Sequence, residues 1–431
     1  MENLLLTTEL SRQLYQAVAK LPIIDFHNHL PIRDIVENHQ YRDLTELWIA
    51  SDPYKHRAMR ICGVPERLIT GKEASPWERF LAWANTAPQL FGNPLWHWTR
   101  LELLRVFGIE EELTPDTAAF IWKRANELLS RPEFRARAIL DCFNIEYSAP
   151  CSTLFSDDVE LLSAKGLPPS LSISLRGDDL LSPTPELLSQ LDARLDRFHA
   201  AGCRIADHAL DAGFRYEPNQ GDDETILADL GNADPVRVAS AMLRRLGVAY
   251  AQRGWILQLH IGALRKTSTR LRNVAGPAGG YAGMGHPCDI ASVSALLNDL
   301  DQSAAGLPRT ILYTLNPADH AVLAVMAGAF PGDGMRGKVQ LGPAWWLCDH
   351  IHGMRDCFET LAAYGVLSVF NGMTTDSRSI LSFVRHEYFR RTLCAWLAGK
   401  AAADEMPADC ERLRQLARKL CYENAHAALQ A

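Results

Sequence analysis

No apolar run in this chain approaches the ~18 residues needed to cross a bilayer, so no membrane span is expected. The ten cysteines, scattered from Cys62 to Cys421, include no CxxC pair and form no compact framework. That excludes a small disulfide scaffold and points to reduced thiols in a cytoplasmic protein. Positive charge is in deficit, with a formal net charge of −7, which argues against generic nucleic-acid binding. A local arginine cluster for an anionic substrate remains compatible with that balance. The N-terminal stretch MENLLLTTELSRQLYQAVAK carries acidic residues at helix-like spacing and does not read as a secretory leader. Internal repeats, low-complexity tracts and long linkers are also missing. What is present is ordinary globular material: 431 residues, 47% hydrophobic and 22% charged. That length suits one large barrel with insertions, or two or three common domains.

A short apolar run, a polar or histidine-bearing end and a helical stretch recur along the chain. Eight such runs stand out: 22–27, 143–148, 170–176, 203–208, 255–260, 310–315, 338–342 and 366–372. Near-continuous apolar strands suit a parallel sheet covered by helices, and eight of them predict an α/β fold of the (β/α)8 TIM-barrel type. The spacing predicts helices over Asn232–Gln252 and Pro183–Ala201, with glycine stops before the next strand. Residues 36–140 are too many for a simple crossover between strands one and two. They predict a helical insertion over the C-terminal mouth of a single barrel domain spanning 1–431, with Thr114 as one N-cap. The stretch 380–431 reads as helical throughout.

His27 and His29 end the first predicted strand two residues apart, so alternation sends both imidazoles to one face, where they can share a metal ion. Asp376 follows the eighth run. Strands one and eight are neighbours in a closed barrel, so its carboxylate can join the pair, although capping the next helix is a second use for it. His260 and His208 end strands five and four, and each is either a further metal ligand or a polar contact to substrate. Zinc is the default ion for such nitrogen and oxygen donors, while manganese or iron fits the same ligands. Arg176, Arg378 and Arg385 gather forked guanidinium groups suited to a sugar acid. Surface ion pairing is the plainer use of Arg385.

The segments DFHNHL, LTELWIASDPYKHRAMRICGV, LFGNPLWHWTRLEL, DHALD, LHIGALR, LYTLNP, GPAWWLCDHIHGM and GMTTDSRSILSFVRHEYFRR resemble the uronate isomerases of the amidohydrolase superfamily. The resemblance runs in order from about residue 20 to residue 425. It implies aldose–ketose isomerisation of D-glucuronate to D-fructuronate, or of D-galacturonate to D-tagaturonate, at a site holding one divalent metal. It also implies that His27, His29 and Asp376 are metal ligands, with His260 a candidate fourth. Tyr54, Arg378 and Asp376 would serve the proton transfer. Arg176, Arg385, His208 and Trp345 of the WW loop would meet the substrate. The loop SDPYKHR departs from the family's GDHYKWR-like pattern, so Pro53 stands where a histidine is expected. His56 would share a helical face with that position and is the candidate replacement contact. SAPCST likewise stands where the family has a TTDD-like segment. The expected partners are a small-molecule sugar acid and further copies of the chain, with neither nucleic acid nor membrane. Two other readings compete: a metal-dependent hydrolase of the same superfamily acting on a sugar-acid-like substrate, and a homologue that binds without turnover.

Overall fold

The computed structural model describes residues 3–165 and 171–430. Among these, nine strands appear: β1 (Ile23–Asn28), β2 (Ile145–Thr153), β3 (Ser174–Arg176), β4 (Ile205–Leu210), β5 (Ile256–Ile261), β6 (Ala263–Leu264), β7 (Gly283–Met284), β8 (Thr310–Thr314) and β9 (Val339–Leu341). Seven form one curled sheet in the order β1-β2-β3-β4-β5-β8-β9. Every pairing in it is parallel. β1, β5 and β8 are buried at every position, as strands covered on both faces must be. β6 and β7 make a separate antiparallel pair that the apolar pattern did not announce. Ser170, first residue of the third predicted run, lies outside the described residues.

Seven of the eight predicted runs become sheet strands; 366–372 does not. Leu367–Val369 forms a 3₁₀ turn, and the chain then runs on without a ladder. The physical reason lies in side chains that meet its backbone in place of a ladder: Asn424 Nδ2 donates to the Ser368 and Phe370 carbonyls at 3.0 and 2.8 Å, and the residues just beyond the run continue the pattern. Thr374 Oγ1 accepts from His27 N at 2.8 Å, and the Asp25 carboxylate accepts from Thr375 N at 2.7 Å. Asp376 has φ +48°, which no extended strand permits. The segment nevertheless touches both edges of the sheet: Asn371 N donates to Gln340 of β9, and Asp376 N donates to the His27 carbonyl of β1.

Helices pack around the sheet. Two expected ones are found as Pro185–Ala200, capped by Thr184, and Pro235–Gln252, capped by Asp234. Residues 36–140 hold the helices Leu44–Trp48, Pro53–Ile61, Pro76–Thr86, Pro94–Phe107, Ala118–Leu129 and Ala136–Asp141, with Trp48, Trp83 and Trp98 fully buried among them. Thr114 is not the cap expected of it. Its helix begins at Ala118, and the Thr114 hydroxyl serves Thr117 N instead. The C-terminal stretch is interrupted between Val384–Ala402 and Cys410–Arg418, so it is not helical throughout.

Candidate metal centre and proton-handling site

At the end of β1 three side chains converge. Asp376 Oδ1 lies 3.2 Å from His27 Nε2 and 3.0 Å from His29 Nε2. The backbone builds this meeting directly, since the N–H of His29 donates to the Ser377 carbonyl at 2.8 Å. Buried Asp25 pins the approaching segment, accepting from Thr374 Oγ1 at 2.9 Å and Thr375 Oγ1 at 2.8 Å, with His386 Nε2 at 3.3 Å. The left-handed backbone of Asp376 is the local cost of that aim.

The three atoms fit a divalent cation. Bonds of about 2.0–2.2 Å in a tetrahedral site separate neighbouring ligand atoms by about 3.4 Å, close to the two Asp376–histidine separations found. Asp376 Oδ1 is buried and makes no hydrogen bond among the described residues, so a positive ion would complete it. Burial brings His29 down to about 4, leaving a neutral imidazole as a ligand requires. Burial opposes ionisation of Asp376, yet the two histidines hold its carboxyl well below the usual carboxylate range.

His260 does not join this trio. It belongs to a second group that shares His27, with Asp207 at its centre: His27 Nδ1 to Asp207 Oδ1 is 3.8 Å and His260 Nδ1 to Asp207 Oδ2 is 3.9 Å. Trp345 lies with its ring 4.7 Å from that of His260, and its buried indole N–H has no partner among the described residues. Arg176 Nη1 reaches Asp207 at 3.5 Å, and its Nη2 reaches Asp178 at 2.6 Å. The sulfur of Cys151, on β2, sits 2.8 Å from His29 Nδ1, and burial pushes the thiol up.

Tyr54 comes from the helix Pro53–Ile61. Asp52 caps that helix by accepting from Tyr54 N and Lys55 N, and Pro53 occupies the first turn, where its missing N–H costs nothing. The Tyr54 hydroxyl donates to Asp349 Oδ1 at 2.9 Å and accepts from Leu347 N at 3.2 Å. Burial, then the Asp349 charge, drive the phenol well above its ordinary value; the charge of Asp376 adds to the effect. Burial lifts Asp349 itself to about 6.

Three expected substrate contacts have partners within the protein. His208 turns away from Asp207, its neighbour on β4, and bonds the Tyr250 hydroxyl of Pro235–Gln252 at 2.9 Å. Its ring also fills the space where a Cβ on Gly177 would sit, so it packs against the helical layer. Arg385 is fully buried between the Tyr54 and Trp98 rings and pairs with Asp349 at 3.2 Å, so it braces a carboxylate of the protein. His56 is on a helix as supposed, but its Nε2 meets the Ile49 carbonyl at 2.8 Å. No hydrogen bond or ion pair among the described residues links it to the Asp376 cluster. Arg378, half-buried two residues beyond Asp376, makes no ion pair or hydrogen bond among the described residues.

Asp25, Cys151, Asp207 and Asp349 are the residues that sequence reasoning missed. Asp207 had a readable signal, because strand parity puts it and His208 on opposite faces and only one of them can look inward.

Comparison with known proteins gives a consistent result. Residues 1–159 and 179–429 match the profile of the family described as Glucuronate isomerase. The uronate isomerases of Salmonella paratyphi B and Salmonella newport are each 40% identical over 458 residues, covering 98% of this chain and 97% of theirs. Among solved structures, the uronate isomerase of Thermotoga maritima superposes with a TM-score of 0.89 at 28% identity, covering 100% of this chain and 99% of its own. The glucuronate isomerase of Caulobacter crescentus gives 0.90 at 24% identity, covering 100% and 96%, and speaks to the fold alone.

Proposed function

Because the chain belongs to the glucuronate (uronate) isomerase family and is an enzyme of that kind, we propose that it interconverts D-glucuronate with D-fructuronate, or D-galacturonate with D-tagaturonate, at a single-cation site made by His27, His29 and Asp376. The observation that carries this reading is the convergence of those three ligand atoms within 4.8 Å of one another, with Asp376 Oδ1 3.2 Å from His27 and 3.0 Å from His29. Zinc suits the donor set. We place the reaction in one barrel domain in which the 371–377 segment takes the eighth staves' place, and 36–140 covers the mouth while lending Tyr54 to it. A cytoplasmic setting agrees with ten cysteines that are all free.

The reaction moves a proton from C2 to C1, while the C2 hydroxyl gives up its proton and the C1 oxygen gains one. A bound divalent cation supplies Lewis acidity toward the sugar oxygens at those carbons. Asp376 is held ionised by the two histidines and is therefore a weak base, which favours it as ligand over proton acceptor. The Tyr54–Asp349 pair suits proton relay: the phenol passes a proton along the 2.9 Å bond to a carboxylate poised at about 6. Arg385 keeps that carboxylate aimed at Tyr54. Arg378, whose donors are uncommitted among the described residues, stabilises the enediolate. Arg176 is tied to Asp178 and Asp207, yet keeps donors to spare for the distal carboxylate of the sugar. Trp345 offers its unpaired indole N–H to a hydroxyl.

A panel of hexuronates and aldonate-like acids incubated with metal-loaded protein and followed by NMR tests the reading. Ketose signals are expected. Cleavage of an amide or lactone would replace isomerisation with hydrolysis, and binding without any change would remove catalysis altogether.

A further inference from the structure

An imidazole that gives one nitrogen to a cation must place the proton of the other on an acceptor, and that acceptor fixes both tautomer and ring angle. His29 turns Nε2 toward Asp376 at 3.0 Å. On its far side, Nδ1 has one hydrogen-bond partner among the described residues, the Cys151 sulfur at 2.8 Å. That sulfur is held by the sheet and not by a loose loop: Cys151 lies inside β2 and pairs in register with Ser174 of β3, while Ser152 pairs with Leu175. His29, by contrast, stands just past the end of β1 and owes its ring orientation to side-chain contacts.

We propose that Cys151 is a positioning residue for the metal centre, its sulfur accepting the Nδ1–H of His29 and thereby presenting the Nε2 lone pair to the ion shared with His27 and Asp376. The inference rests on the metal-site reading above. In this role the sulfur never touches the ion or the sugar. It selects the competent tautomer and fixes the ring's rotation, so removing it would loosen a bound ion without disturbing the fold.

The test uses the full chain stripped of metal and titrated with zinc against a chromophoric chelator, together with the absorption spectrum of the cobalt-loaded protein. Cys151→Val and Cys151→Ala remove the acceptor; Cys151→Ser restores an oxygen acceptor in the same place. Wild type is expected to bind one zinc, and both apolar variants to bind it roughly 10- to 100-fold more weakly. The serine variant should recover affinity to within a few-fold, and all four chelated proteins should melt at the same temperature. The wild-type cobalt spectrum should show no thiolate-to-cobalt charge-transfer band. Equal zinc affinity in wild type and both apolar variants overturns the positioning role alone. So does a charge-transfer band, which would put the sulfur on the ion. Failure of wild type to bind any zinc overturns the metal-site reading with it. If Cys151→Val does not fold, Cys151→Ala and Cys151→Ser carry the comparison unchanged.

Discussion

Burial lifts the Asp349 carboxyl to about 6 although Arg385 pulls it the other way, and a relay through Tyr54 works only when that carboxyl is ionised. The rate kcat/KM should therefore fall about tenfold per pH unit below about 6. Asp349→Asn should lose this acid limb and lower kcat roughly a hundredfold or more, read from a pH–rate profile with saturating metal. The same group acts on stability with a definite sign. Its folded value lies above the ordinary 3.8, so the stability it contributes is complete below about 4 and is lost as pH rises through about 6. Chelated Asp349→Asn protein should accordingly melt no lower than wild type at pH 8. Arg378 gives a second residue-scale expectation. Having no hydrogen-bond or ion-pair partner among the described residues, it can be replaced by methionine with little change in melting temperature, while kcat drops roughly a hundredfold to a thousandfold. A parallel loss of stability would show that Arg378 holds the fold rather than the transition state.

Among the elements, Pro53–Ile61 matters most, because it delivers Tyr54. It is moored by Lys55, buried with its ammonium 2.6 Å from Asp52 and 3.6 Å from Glu102 of Pro94–Phe107. The shorter contact wins: burial opposes ionisation of Asp52, but Lys55 draws its carboxyl down, whereas burial leaves Glu102 raised. Trp48 and Trp83 face the same ammonium with their rings, 5.3 Å and 5.8 Å away. Removing the cation from such a cluster strands two carboxylates, and Lys55→Met should cost about 3–5 kcal/mol in urea unfolding. Elements are also where sequence reading reached furthest and then stopped. His27, His29 and Asp376 were legible because strand parity puts the two histidines on one face and the segment after the eighth apolar run returns to the end of β1. Strand parity separates Asp207 from His208 in the sequence, but which of the two looks inward depends on the helix carrying Tyr250. Asp349 lies in a loop whose approach to Tyr54 no periodicity records. The run 366–372 has the composition of a strand, yet the side chains of Asn424 and Gln340 meet its backbone at Ser368, Phe370 and Asn371, a choice visible only across the assembled sheet.

For the molecule as a whole, a cation bound only by the folded chain must stabilise it. Zinc at a hundred times its Kd should add about 2.7 kcal/mol, seen as a rise of a few degrees in melting temperature that a chelator reverses. The double variant His27→Ala, His29→Ala should show no such rise. If it does, the ion sits elsewhere. The pinning of 371–377 by Asp25 reaches beyond equilibrium. Asp25 and Thr374 stand 349 residues apart, so the histidine pair leaves the ribosome long before its carboxylate partner exists. A metal ion caught early meets two imidazoles and open water, and is readily given back. Only when nearly the whole polypeptide has been made can the third donor arrive, locked by the same carboxylate that ties the chain's two ends together. Under the metal-site proposal, commitment of the ion would thus come late in biosynthesis, in molecules that have already folded.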